Sequence, residues 1–112
     1  MKWIAVVFLT LITSQSMASS EFEVIYDNGN SKVILTNSGL LPEAKLNLHG
    51  KSVCSNNNFC ILWFYSERSN ANVGAAAMKA GNLFAQTPGM YGIFSKNNVV
   101  NNIICYEPSS GC

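Results

Sequence analysis

The sequence predicts one small α+β domain: an antiparallel sheet of about six strands, one amphipathic helix laid on it, and disulfides holding the two together. Three observations carry this. Short alternating or wholly apolar runs, bounded by Asn, Gly and Pro, fill most of the chain after residue 21. One Ala-rich stretch has helical spacing instead. Four cysteines, Cys54, Cys60, Cys105 and Cys112, give the even count of a disulfide framework.

Phe22 to Tyr26 and Lys32 to Thr36 flank Asp27-Asn28-Gly29-Asn30, residues that tolerate a tight reversal, so the first two strands form a hairpin. Ala44 to Cys54 alternates, with Leu46 and Leu48 set against Lys45, Asn47 and His49, and reads as a third strand with one wet face. Cys60 to Tyr65 follows an Asn-rich turn without a polar break, the pattern of a central strand covered on both faces. Asn70 to Gln86 places Val73, Ala77, Ala80 and Phe84 on one helical stripe. Ser69 is its expected N-cap and Thr87-Pro88-Gly89 its stop. Gly74 and Gly81 each cost about 1 kcal/mol relative to Ala, and with the alanines they leave a thin helix able to lie close to the sheet. Met90 to Ser95 and Val99 to Tyr106 make a second hairpin, with Asn101 and Asn102 marking a bulge or an edge. The order is β-β-β-β-α-β-β, followed by a tail, Glu107 to Cys112, that a disulfide must pin.

Ahead of this domain, Lys2, the apolar run Trp3 to Ile12 and the small residues around Ser16-Met17-Ala18 form the three regions of a secretory signal. The run is about half the 20 residues that a membrane span needs, and no Cys stands at the cleavage point for acylation. Residues 1–18 are therefore expected to be removed after Ala18, with Ser20 the next candidate, and Ser19 to Cys112 to be the exported domain, periplasmic or extracellular, without a membrane anchor.

Removing Lys2 leaves six basic residues, five Lys and Arg68, against six acidic ones, so the exported part is neutral. Nucleic-acid binding needs clustered positive charge and is excluded as an expectation. Asn is abundant, with fourteen residues, and none begins an N-x-Ser/Thr acceptor. Zinc would want closely spaced Cys pairs or several His, whereas the Cys spacings are wide and His49 is the only histidine. Disulfides are expected, and three connectivities are open. Chain entropy favours a long loop: closing 46 residues is worth about 4 kcal/mol against about 2.4 for 7. The local pairs Cys54–Cys60 and Cys105–Cys112 are the expectation all the same, because sequence neighbours meet without the sheet's strand order.

No catalytic motif survives inspection. Gly50-Lys51-Ser52 ends like a P-loop, but Lys45 stands where the loop's first Gly belongs. His49 titrates near neutrality, yet the only Asp, Asp27, lies in a turn, and Glu21, Glu23, Glu43, Glu67 and Glu107 are scattered. The best candidate binding position is Ser66-Glu67-Arg68-Ser69, where the central strand hands over to a helix whose N-terminus attracts anions. Trp63 and Tyr65 join Glu67, Arg68 and Ser69 as candidates, because one helix covers one sheet face and leaves aromatics for contact on the other. The expected function is non-catalytic, with no cofactor or metal: a module that binds another protein of the envelope or the exterior, such as an inhibitor, an immunity protein or an attachment factor. Binding of a small ligand or glycan through aromatics and Asn side chains is the alternative, and a small hydrolase the third.

Overall fold

A computed structural model describes residues 21–82 and 87–106. The expected signal segment, Phe84 of the expected stripe and the Cys112 end of the second expected disulfide lie outside them. The described chain folds as β1 (Phe22–Asp27), β2 (Ser31–Thr36), α1 (Glu43–Val53), β3 (Cys60–Tyr65), α2 (Arg68–Lys79), β4 (Met90–Lys96) and β5 (Asn101–Cys105). It is a small α+β domain, but its sheet has five strands, not six, and it carries two helices. The strands lie side by side in chain order. β2 and β3 run parallel and the other neighbours antiparallel, so the sheet is mixed.

The first hairpin forms as expected. Asp27 Oδ1 accepts the Gly29 N–H at 2.7 Å and Asn28 Oδ1 accepts the Ser31 N–H at 2.9 Å. Gly29 alone takes the left-handed conformation, at φ +101°. A bulge between Val24 and Tyr26 interrupts the pairing of β1 with β2.

The expected third strand, Ala44 to Cys54, is instead α1. The stretch from Glu43 to Ser52 holds no β-branched residue and is rich in Glu, Ala, Lys and Leu, which favour helix. Pro42 precedes the first turn in an extended conformation, and its carbonyl accepts the Leu46 N–H at 3.2 Å. Leu46 and Gly50, four residues apart, face the core together, while Leu48 points outward. The two leucines that mimicked strand alternation sit about 200° apart on a helix.

A helix between β2 and β3 accounts for their parallel pairing, since a parallel pair needs a crossover. It also corrects the expectation of an uncovered face. α1 packs on the β4–β5 half of one face, and α2 on the β1–β3 half of the other. All six residues of β3 are buried. Ile34, Leu46, Leu62, Phe64 and Phe94 form one core beneath α1. Val33, Trp63, Tyr65, Ala71 and Met78 form the second, beneath α2.

α2 begins and ends earlier than expected. Glu67, not Ser69, occupies the N-cap position, and it makes no side-chain cap bond. At the far end Gly81, at φ +90°, donates to the Met78 carbonyl and Asn82 donates to that of Ala77, the paired bonds of a Schellman stop. The buried stripe is Ala71, Gly74 and Met78, while Val73 of the expected stripe is half-exposed. Small residues won because the Tyr65 ring lies directly against the helix: a Cβ on Gly74 would overlap it. On the other face, a Cβ on Gly50 would overlap the ring of Phe94.

Cys54, which caps α1, and Cys60, which opens β3, are joined as expected, with Cα atoms 5.8 Å apart. The disulfide closes a helix-to-strand turn where a hairpin turn was expected. Cys105 is disulfide-bonded as well. β5 is the edge strand that Asn101 and Asn102 suggested, and its register against β4 is unbroken.

Gly50→Ala should destabilise the domain by about 1–3 kcal/mol, the usual cost of overpacking, although Ala is the better helix former by about 1 kcal/mol. Urea unfolding measures the balance. Cys54→Ala with Cys60→Ala should cost about 2.4 kcal/mol through the 7-residue loop, measured the same way.

Candidate functional site

The five binding candidates divide into two groups. Trp63 and Tyr65 are wholly enclosed beneath α2. The Tyr65 hydroxyl hydrogen-bonds Thr87 Oγ1, and the Trp63 indole N–H has no partner among the described residues. Neither side chain presents a surface. Glu67, Arg68 and Ser69 are exposed at the turn into α2.

Arg68 reaches across to the edge strand. Its Nη1 and Nη2 donate to the two carboxylate oxygens of Glu23 at 3.0 and 2.8 Å, a two-point pair between the first residue of α2 and β1. The Asn37 amide donates to the same carboxylate at 3.3 Å. Both donors favour the charged form, Arg68 most, and hold the Glu23 carboxyl below its ordinary value. The guanidinium fork is thus already matched to one carboxylate, which is the geometry it suits best.

A second arrangement lies beside α1 and was not foreseen. Because α1 sits over β4 and β5, the half of that face above β1 is left open. There Glu21, Phe22, Lys45, Leu48, His49 and Ser52 line a groove of about 310 Å³. Leu48 is 71% exposed, and Val24, next on the same face of β1, is 53% exposed. The rings of Phe22 and His49 stack at 3.8 Å with planes 3° apart, and Phe64 meets both edge-on from below. Lys45 and Glu21 pair at 3.3 Å on the rim.

Sequence reasoning missed this groove because it read 44–54 as a strand, which turned Leu48 inward beside Leu46. A helical reading of the same residues puts Leu48 outside, and an apolar residue on the wet side of a helix is the signal that finds it.

His49 is not the exposed strand residue expected. It is half-buried on α1, its Nε2 has no hydrogen-bond partner among the described residues, and burial pushes its pKa below 6.5. Asp27 is held in the β1–β2 turn by Lys32 at 2.8 Å and by the Gly29 N–H. The Glu21 carboxylate is turned to Lys45. The described carboxylates are thus engaged with other groups, and the imidazole serves here as a neutral stacking surface.

Two outcomes follow. A depressed imidazole pKa means that the unfolded chain binds the proton first, so this contribution to stability is complete above 6.5 and is lost as pH falls below it. Melting temperature should decline between pH 7 and about 5, above the carboxylate range. His49→Phe, which keeps the stack, should flatten that decline. Arg68→Ala should leave the melting temperature nearly unchanged, since both partners are solvated. It should also raise the Glu23 carboxyl toward 4.5, read from an NMR pH titration.

Comparison of the chain with protein-family models, with curated proteins and with solved structures found no match.

Proposed function

We propose that this chain is an exported, non-catalytic interaction module that seats another protein of the envelope or exterior in the groove between α1 and β1. The observation that carries the reading is Leu48. Its side chain adds nothing to either core, yet it stands 71% exposed beside the Phe22–His49 stack. Contiguous apolar surface with a polar rim is characteristic of contact sites, and here Lys45, Glu21 and Ser52 supply the rim. Small size, a neutral exported part and a core closed by Cys54–Cys60 fit a compact domain working through its surface. The disulfide is compatible with an oxidising compartment, which accords with the signal-like N-terminus.

A photo-crosslinking amino acid placed at position 48 in the exporting cell tests this. A discrete covalent adduct with one protein is expected from position 48 and none from position 79, an exposed α2 site. Leu48→Asp should abolish the interaction while changing stability by no more than about 0.5 kcal/mol, as surface substitutions do. Absence of any adduct from position 48, or equal adducts from both positions, would overturn the proposal.

A further inference from the structure

One end of the sheet gathers three turns made almost wholly of uncharged polar residues. Asn28 and Asn30 stand in the β1–β2 turn, Asn56, Asn57 and Asn58 in the turn before β3, and Asn97 and Asn98 between β4 and β5. Strand register puts them side by side, since Ser31 is opposite Ile61 and Cys60 opposite Lys96. The turns are also bonded to one another. The Asn57 amide donates to Asn30 Oδ1 at 3.1 Å and the Gly29 carbonyl at 3.4 Å. Lys96 Nζ donates to the carbonyls of Cys54 and Ser55 at 3.0 and 3.4 Å. The Cys54–Cys60 disulfide closes the middle turn. The row is therefore held in place, and five strands at sheet spacing make it roughly 19 Å long.

Turn geometry does not account for these asparagines. Asn is common in turns because it tolerates positive φ, but among the described residues every positive φ belongs to glycine. Asn28 and Asn97 do cap local N–H groups through their Oδ1 atoms. Asn56, Asn58 and Asn98 are exposed and take no such part. Phe59, 39% exposed, comes off the start of β3 next to them.

We infer that this Asn-rich end, with Phe59 among its carboxamides, is a binding site for a neutral oligosaccharide. A carboxamide offers donors and an acceptor together, which matches hydroxyl groups that both donate and accept. The C–H face of a sugar ring can lie on the Phe59 ring. The three turns hold no charge, and flanking Asp27 and Lys32 neutralise each other at 2.8 Å. A sulfated chain or a nucleic acid would need cations here. A protein contact would favour Trp, Tyr or Arg as anchors, and the turns have none. The length of the row suits several sugar units in line.

The site shares no residue with the groove beside α1, so the two proposals fail separately. The mature Ser19–Cys112 protein, ¹⁵N-labelled, is titrated with chitohexaose and with cellohexaose, with heparin as the charged comparison. Saturable shifts of the side-chain amide signals of Asn56, Asn58 and Asn98 are expected with at least one neutral hexaose and not with heparin. Phe59→Ala and, separately, Asn58→Ala with Asn98→Ala should each weaken binding about tenfold or more. The asparagine pair lies on the surface and should leave melting unchanged, so it decides the matter if Phe59→Ala fails to fold. No saturable shift from either hexaose at millimolar concentration would overturn the inference. So would shifts confined to Leu48 and His49, or binding undiminished in the asparagine pair.

Discussion

Everything in this fold depends on burying β3 on both faces. Cys60-Ile61-Leu62-Trp63-Phe64-Tyr65 has no polar side that water could reach, so a helix must cover each face. Alternation along the strand sends Leu62 and Phe64 toward α1 and Ile61, Trp63 and Tyr65 toward α2. Both helices must come close, and each does so at a glycine. Gly74 accepts the Tyr65 ring and Gly50 the Phe94 ring. The helix-propensity cost of those glycines is the condition for filling the two cores to ordinary density. The same demand explains why the larger apolar residues of α2 do not lead its buried face. With a tyrosine ring already in the gap, alanine and glycine fit and valine does not.

Two helices on five strands cannot cover the sheet completely, and their diagonal placement decides what remains open. α1 on the β4–β5 side leaves Phe22 and Val24 of β1 short of cover, and Leu48 turns toward that space. Polar chemistry closes the lower end of the same face. Thr36 Oγ1, fully buried, bonds the Gly39 carbonyl at 2.7 Å and the Tyr91 hydroxyl at 2.8 Å, while that hydroxyl takes the Leu41 N–H. The loop from β2 to α1 is thereby fixed over the core, and the direction in which α1 leaves is set. The groove beside α1 is a consequence of that direction.

How much of this was legible in the sequence follows from where local pattern and tertiary packing agree. β3 was legible because six apolar residues in a row admit few alternatives, and the two hairpins because their turns carry Asp, Asn and Gly. The Cys54–Cys60 pair was legible from its spacing. α1 was not, because Leu46 and Leu48 alternate like a strand, and only the lack of β-branched residues and Pro42 ahead of Glu43 spoke for helix. That one misreading carried others with it: an all-antiparallel sheet, an uncovered face, Trp63 and Tyr65 as contact residues, and no groove. The stop of α2 at Gly81 was missed because alanines and Phe84 continued the helical spacing beyond it. Arg68 was read with the local Glu67, whereas its partner Glu23 is 45 positions away, a separation that no spacing rule spans.

The Arg68–Glu23 pair also bears on what the turn into α2 does. An external anion arriving there would meet the free N–H groups of the first helical turn, but it would meet the Glu23 carboxylate too. That carboxylate is held in its charged form by the donors it already has. To use Arg68, the anion must either displace Glu23 or share the fork with a like charge, and both oppose binding. The pair performs a different task without any change. β1 is an edge strand, interrupted by a bulge, and joined to the sheet by β2 alone. Arg68 and Asn37 grip it from two other elements, at Glu23, one residue past Phe22. A charge-assisted fork is directional, so it fixes the strand's position even where solvent screens its energy. Phe22 can stack on His49 only if β1 stays in register at that point. The exposed ion pair on one face thus sets the geometry of the apolar groove on the other.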